Sequence, residues 1–311
     1  MIIVRLAGGL GNQMFEYAAA RRLAQVCGVP LKLDLSGYAA EGDNRGHPGL
    51  DAFRRHVGLH KFNITAEHAT PGEIAALRDP YNNSALLSRI VRRLRKIWPT
   101  LLWPATHFRE RRYRFDPDVL NLPSPCYLSG YWQSERYFVD IKDVICREFT
   151  PRDPAILDYA RKYVSGLRTG TAAVVSVHVR RGDLAHAQET LKNTKVVYGP
   201  PTSLEFIHKA IGKFEPGSCK FLVFSDSGND IAWCKENIKA DNLHFSEGHD
   251  DLQDMMLMSA CDHHIIASTY SWWAAWLNRR PGRRVISPRQ WAYPGHEMVT
   301  DDLIPADWEM I

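Results

Sequence analysis

The chain has 311 residues, of which 45% are hydrophobic and 24% charged, and it carries a formal net charge of +4. That length buries one large core or two of about 150 residues each, and so mild a charge, with no long block of one sign, excludes a nucleic-acid protein held by bulk electrostatics. The six cysteines at 27, 126, 146, 219, 234 and 261 form no Cys-x-x-Cys pair, which argues against a zinc site and a disulfide framework and leaves them as small core residues.

The opening Met-Ile-Ile-Val-Arg lacks a signal-peptide h-region, and no apolar run approaches the roughly 20 residues that cross a bilayer, so a soluble, cytoplasmic protein is expected. Residues 2–6 read as a short β-branched strand, the glycines between 8 and 11 as a tight turn, and residues 12–26 as a helix with Met14, Phe15, Ala18, Ala19, Leu23 and Val26 on its apolar side. Asn12 suits the cap and Gly28 the stop. Residues 31–35 alternate as a second strand, and the resulting β-α-β unit implies parallel pairing. At such a turn, backbone N–H groups and a helix N-terminus receive an anion or a sugar, which makes Gly9, Leu10, Gly11, Asn12 and Gln13 candidates for a donor and acceptor cleft. Gly9-Leu10-Gly11 also begins a dinucleotide fingerprint, with Asp34 near the place of the ribose-binding acid. Met14 stands where the third glycine belongs, so an NAD(P)-dependent dehydrogenase is an alternative rather than the main reading.

From residue 37 to 125 the periodicity is poor and no element is assigned. This region holds the strongest basic cluster, in residues 89–114, where Trp98 and Trp103 stand among arginines such as Arg92, Arg93, Arg109 and Arg112. A solvated helix face accounts for it, and tryptophans among arginines also suit peripheral docking on the inner membrane face or on an anionic glycolipid. Asp116-Pro117-Asp118 has the spacing of a divalent-metal pair, but Pro117 at a first helical position makes the acids a helix start, and no metal site is expected.

Residues 172–177 form an unbroken apolar run that closes in His178, Val179, Arg180, Arg181, Gly182 and Asp183, the pattern of a buried strand ending in a charged turn. Alternation puts Ser176, His178 and Arg180 on one side and Val177, Val179 and Arg181 on the other. An Arg fork grips a diphosphate bidentately and an adjacent imidazole adds a donor; the competing reading is a structural ion-pair cluster with Asp183. Helices at 204–213, 230–239, 251–261 and 270–279 then alternate with strands at 220–225, 243–245, 264–268 and 284–287. That alternation marks a doubly wound parallel sheet. With the opening unit it gives an α/β chain of two Rossmann-like domains, 1–165 and 166–311, with a nucleotide-binding cleft between them. Asp226 falls at a strand's carboxyl edge, fit for a ribose or purine or for capping the next helix. Ser268, Thr269 and Ser271 stand between a strand and a helix, where hydroxyls cap and bind phosphate. Trp272, Trp273 and Trp276 have helical spacing and read as core, and Asp250, Asp251 and Asp254 as a dipole-favoured first turn.

The run from His178 to Asp183 resembles the donor-binding motif of fucosyltransferases that use GDP-fucose. Gly8-Gly9-Leu10-Gly11-Asn12-Gln13-Met14-Phe15-x-Tyr17-Ala18 is similar to the opening of the bacterial α-1,2-fucosyltransferases, glycosyltransferase family 11, and residues 264–278 resemble that family's Ser-Phe-Ser-Trp-Trp-Gly-Ala-Trp-Leu block. Ser227 stands where the family usually has a second Asp. The resemblance implies a GT-B-like, metal-independent, inverting enzyme without a cofactor. It would move L-fucose from GDP-β-L-fucose to the 2-hydroxyl of a terminal galactose on an oligosaccharide or glycolipid. On this reading His178, Arg180 and Ser271 hold the diphosphate, Asp226, Ser268 and Thr269 complete the donor site, and Asp183 is the first candidate for general base, ahead of Glu16, His186 and Glu189. A non-catalytic sugar-nucleotide-binding protein is the other alternative.

Overall fold

The computed structural model describes residues 1–39, 56–78, 90, 94, 106–110, 113–168, 170, 172–181, 202–291 and 301–311. The chain divides into two compact units, the first made of Met1–His60, Ile64–Glu148 and Asp301–Leu303, the second of Lys61–Asn63, Phe149–Thr300 and Ile304–Ile311. The helix Ala155–Leu167 packs against Asp251–Ala260, so it belongs whole to the second unit. The chain therefore changes unit at Glu148 and not at residue 165.

In the first unit, β1 (Ile2–Arg5), α1 (Leu10–Cys27) and β2 (Leu31–Asp34) follow the β-α-β pattern, β3 (Glu67–His68), α2 (Pro71–Leu77) and β4 (His107–Arg109) come from the stretch without periodicity, and β5 (Cys126–Ser129) follows directly after it. The described strands form one parallel sheet in the order β3-β2-β1-β5-β4. β1 lies at its centre, and Ile2, Ile3 and Val4 are fully buried, as apolar strands covered on both faces must be. The N-cap of α1 is Gly9, not Asn12: Gly8 turns the chain at φ 72°, so the helix starts two residues before the expected position. Gly28 ends it in the left-handed conformation, φ 63°, its N–H returning to the carbonyls of Ala24 and Gln25.

The second unit begins with α3 (Ala155–Leu167) and continues β6 (Ala173–Val179), α4 (Leu204–Ile211), β7 (Cys219–Ser225), α5 (Gly228–Asn237), β8 (Leu243–Phe245), α6 (Asp251–Ala260), β9 (His263–Ile265), α7 (Thr269–Leu277), β10 (Val285–Ser287) and β11 (Glu309–Met310). The parallel sheet runs β11-β10-β9-β6-β7-β8, so the chain winds one way from β6 to β8 and then reverses across to β9. This is Rossmann order, with a topological switch point between β6 and β9 where open α/β sheets take their ligands. Val175, Val177 and Val179 pack with Phe206, Ile207 and Val223 on one face. On α7, Trp272, Trp273 and Trp276 are buried among one another, with Trp308 5.3 Å from Trp272 and Phe149 5.1 Å from Trp273, as core spacing predicts. Two Rossmann-like units in one chain are the GT-B-like fold class that the sequence indicated. Cys126, Cys219, Cys234 and Cys261 are buried free thiols, and no described helix is long and apolar enough to cross a membrane.

Candidate donor site

The second unit's switch point is where the charged end of β6 meets the loop before α7. Alternation along β6 holds: Ser176 and His178 face β9 and α7, whereas Val177 and Val179 join the apolar cluster on the opposite face. His178 is 4% exposed. Its Nδ1 lies 2.9 Å from Ser271 Oγ and 3.4 Å from Ser268 Oγ. Ser271 Oγ already accepts the backbone N–H groups of Ala267 (3.0 Å) and Ser268 (3.2 Å). Its own proton therefore goes outward, and the shorter of its two acceptors is His178 Nδ1, the other being the Ser268 carbonyl at 3.2 Å. An imidazole that accepts at Nδ1 carries its proton at Nε2. Burial pushes the His178 pKa down to about 4, so the ring is neutral at pH 7 and offers Nε2–H as a donor. Tyr270, whose ring centre is 5.8 Å from that of His178, is a neighbour that the sequence did not single out, because its spacing matches the core tryptophans beside it.

Arg180 pairs with Asp226 through one carboxylate oxygen, and the other oxygen accepts the Arg181 backbone N–H at 2.8 Å. Thr202 fixes the Arg180 backbone in both directions, its Oγ1 accepting the N–H at 2.8 Å and its own N–H reaching the Arg180 carbonyl at 2.9 Å. Arg181 turns the other way, as alternation demands. Its guanidinium lies 3.5 Å from the centre of the Trp233 ring, and its Nε is 3.6 Å from Asp230. Of the two roles open to Asp226, capping belongs instead to Ser227, whose Oγ accepts the Asp230 N–H at 3.2 Å. Thr269 is the first residue of α7, with Ser268 at its N-cap.

The glycine turn of the first unit divides. Gln13 is fully buried and spent on backbone, its Nε2 donating to His56 at 2.8 Å and its Oε1 accepting from Gly58 at 2.8 Å. Leu10 is buried against Gly58, and Gly11 is buried within α1. Gly9 and Asn12 remain half-exposed at the start of the helix, and Asn12 Oδ1 accepts from Gln133 at 3.0 Å. Glu16 is 1% exposed, takes the Ala7 N–H at 2.9 Å, and has its pKa raised by burial. Asp183, His186 and Glu189 lie outside the described residues, as does most of the basic stretch 89–114; Arg114, within it, lies 3.9 Å from Asp301. Asp116 caps the turn Pro117–Asn121, accepting from Asp118 N–H at 3.1 Å, as the proline implied.

The profile of Glycosyl transferase family 11 matches residues 61–311. The chain belongs to glycosyltransferase family 11. Membership sets aside the dehydrogenase alternative. This family 11 chain is 32% identical to an alpha-1,2-colitosyltransferase of Escherichia coli over 100% of its own length and 99% of that protein's. It is also 32% identical to the O-antigen biosynthesis glycosyltransferase WbnK of Escherichia coli, over 92% of this chain and 93% of the relative. With the galactoside alpha-(1,2)-fucosyltransferase 2 of Hylobates lar it shares 27% identity over 89% of this chain and 69% of the relative. The stretch from β6 to α7 that builds the candidate donor site lies inside the matched region.

A second buried imidazole supports the glycosyltransferase's second unit. His264, pushed down to about 3 by burial, is held between Ser176 Oγ and the Asn278 side-chain amide, each at 2.8 Å. Its folded pKa lies below the unfolded value near 6.5, so its contribution is intact above pH 6.5 and is lost as pH falls toward 3. Between pH 7 and pH 5 the wild type should lose about 2 kcal/mol more stability than His264→Gln, read by urea unfolding at both pH values. Equal losses would contradict a neutral buried imidazole.

Proposed function

We propose that this family 11 glycosyltransferase moves L-fucose from GDP-β-L-fucose to the 2-hydroxyl of a terminal galactose, with inversion and without a metal ion. The observation that carries the reading is the placement of Arg180 just beyond β6, two residues after a neutral, Ser271-oriented His178, at the β6/β9 switch point. As the sugar C1–O bond breaks, negative charge grows on the diphosphate. A guanidinium fork and an Nε2–H donor placed there stabilise that charge more in the transition state than in the ground state. Asp226 holds the Arg180 fork in place before the nucleotide arrives. The acceptor hydroxyl loses its proton to a carboxylate as it attacks C1 from the face opposite the departing diphosphate, and Asp183 is the residue proposed for that role.

The colitosyltransferase relative, matched over 100% of this chain, favours a second reading in which the sugar moved is colitose. Fucose and colitose differ by one hydroxyl, at carbon 3. Turnover of the two nucleotide sugars side by side decides between them. A chain that binds GDP-fucose and turns over neither would be a binding protein. With Arg180 available to neutralise the phosphates, full transfer is expected in excess EDTA. Complete loss of transfer that manganese restores would contradict metal independence.

A further inference from the structure

The first unit has a switch point of its own, between β1 and β5, and the donor chemistry leaves it unused. A cavity of about 540 Å³ lies there, at the carboxyl ends of β1, β4 and β5. Three guanidiniums line it, from Arg5 at the end of β1, Arg109 at the end of β4, and Arg78 just after α2. Among the described residues none of the three guanidiniums makes a hydrogen bond or an ion pair, and Arg5 Nε is buried with no partner. A buried donor such as Arg5 Nε is costly to leave without a partner unless a ligand completes it.

The two carboxyls in the same wall offset these three charges only in part. Burial pushes Glu110 up to about 7, although its Oε2 accepts the Tyr131 N–H at 2.7 Å. Gly130 lets Glu110 pack this closely, since a Cβ at that glycine would stand 2.3 Å from the Glu110 Cβ. Burial raises Glu16 as well. An arginine, by contrast, stays charged at any accessible pH. Tyr113 and Tyr131, stacked at 6.3 Å and 17°, add flat apolar faces and hydroxyls. A concave wall of aromatic rings with a few convergent polar groups is the make-up of a small-ligand site.

We propose that this cavity binds a saccharide that carries an oxyanion, a carboxylate or a phosphate, and that the acceptor glycan is anionic next to its galactose. The inference rests on the transfer reading only in taking the saccharide to be an acceptor. Calorimetric titration of the full chain, with saturating GDP filling the donor site, compares three probes. They are N-acetyllactosamine, a galactosyl-glucuronate disaccharide and a galactosyl-N-acetylglucosaminyl diphosphate. At least one anionic probe should bind about tenfold or more tightly than the neutral one, and which one does separates a uronate from a diphosphate source. Arg109→Gln and Arg78→Gln should each erode the preference, and Arg109→Lys should retain part of it. Arg109 is exposed, and among the described residues it makes no hydrogen bond or ion pair that its variants would lose. In the wild type the preference should also shrink between 50 and 500 mM salt, at a Debye length falling from roughly 14 to 4 Å. Equal affinity for all three probes, or an anion preference untouched by salt and by both glutamine variants, overturns the proposal. Failure of the transfer reading would show separately, as absent GDP heat or absent GDP-fucose turnover, with the saccharide titrations still readable.

Discussion

Arg180→Lys should reduce sugar transfer at least about a hundredfold, equivalent to about 2.7 kcal/mol of transition-state stabilisation. Lysine keeps the charge but loses the planar fork, and the fork is what serves two acceptors at once: Asp226 in the free protein and the diphosphate oxygens in the reaction. Because Thr202 anchors the Arg180 backbone and not its side chain, the substitution leaves the chain path intact. Arg181→Ala provides the contrast. Its guanidinium covers Trp233 and faces Asp230, so its loss should lower the melting temperature. A folded, inactive Arg181→Ala together with a near-normal Arg180→Lys would reverse the roles of the two faces.

Asp183→Asn should abolish transfer while leaving GDP binding unchanged. A positioned general base contributes roughly 10²- to 10⁴-fold, and an amide hydrogen-bonds locally without accepting a proton. Glu16 is buried and bound to the Ala7 N–H, so Glu16→Gln should keep the transfer rate that Asp183→Asn loses. If instead Asp183 braces an arginine, GDP affinity or folding falls with activity in Asp183→Asn. Calorimetry of GDP beside the transfer rate separates the two outcomes. Weakened binding would move the base to Glu189, His186 or Glu16, and unchanged transfer would remove Asp183 from the mechanism.

The second unit was legible because its strands and helices are long or regularly spaced. β6 and β7 are seven residues each, and the unbroken alternation of strand and helix marks the sheet as parallel. Much of the first unit was not. β3 has two residues and β4 three, and unlike the equally short β8, β9 and β10 they are not set between regularly alternating helices, so the sheet around β1 could not be read beyond β2. The missing sheet hid a site. Charge at the carboxyl end of a buried parallel strand singled out Arg180, and the same rule applies to Arg5, which closes Ile2, Ile3 and Val4 in the same way. Without β4 and β5 beside it, nothing in the sequence showed that Arg5 ends a central strand. The local expectation at Asn12 failed for a different reason: glycine served as the cap, and the Asn side chain meets Gln133, 121 residues away. Asp226 shows the same limit, since only the folded sheet brings it to Arg180, 46 residues earlier.

The account is tested most directly by incubating the full chain with GDP-β-L-fucose and a β-galactoside in EDTA, and assigning the product linkage by NMR. Parallel reactions with GDP-mannose and UDP-galactose serve as donor controls. The expected product carries α-linked fucose on the 2-hydroxyl of galactose, formed from GDP-fucose and from neither control donor. Binding of GDP-fucose without any product, or fucose attached at another hydroxyl or in the β configuration, would contradict it.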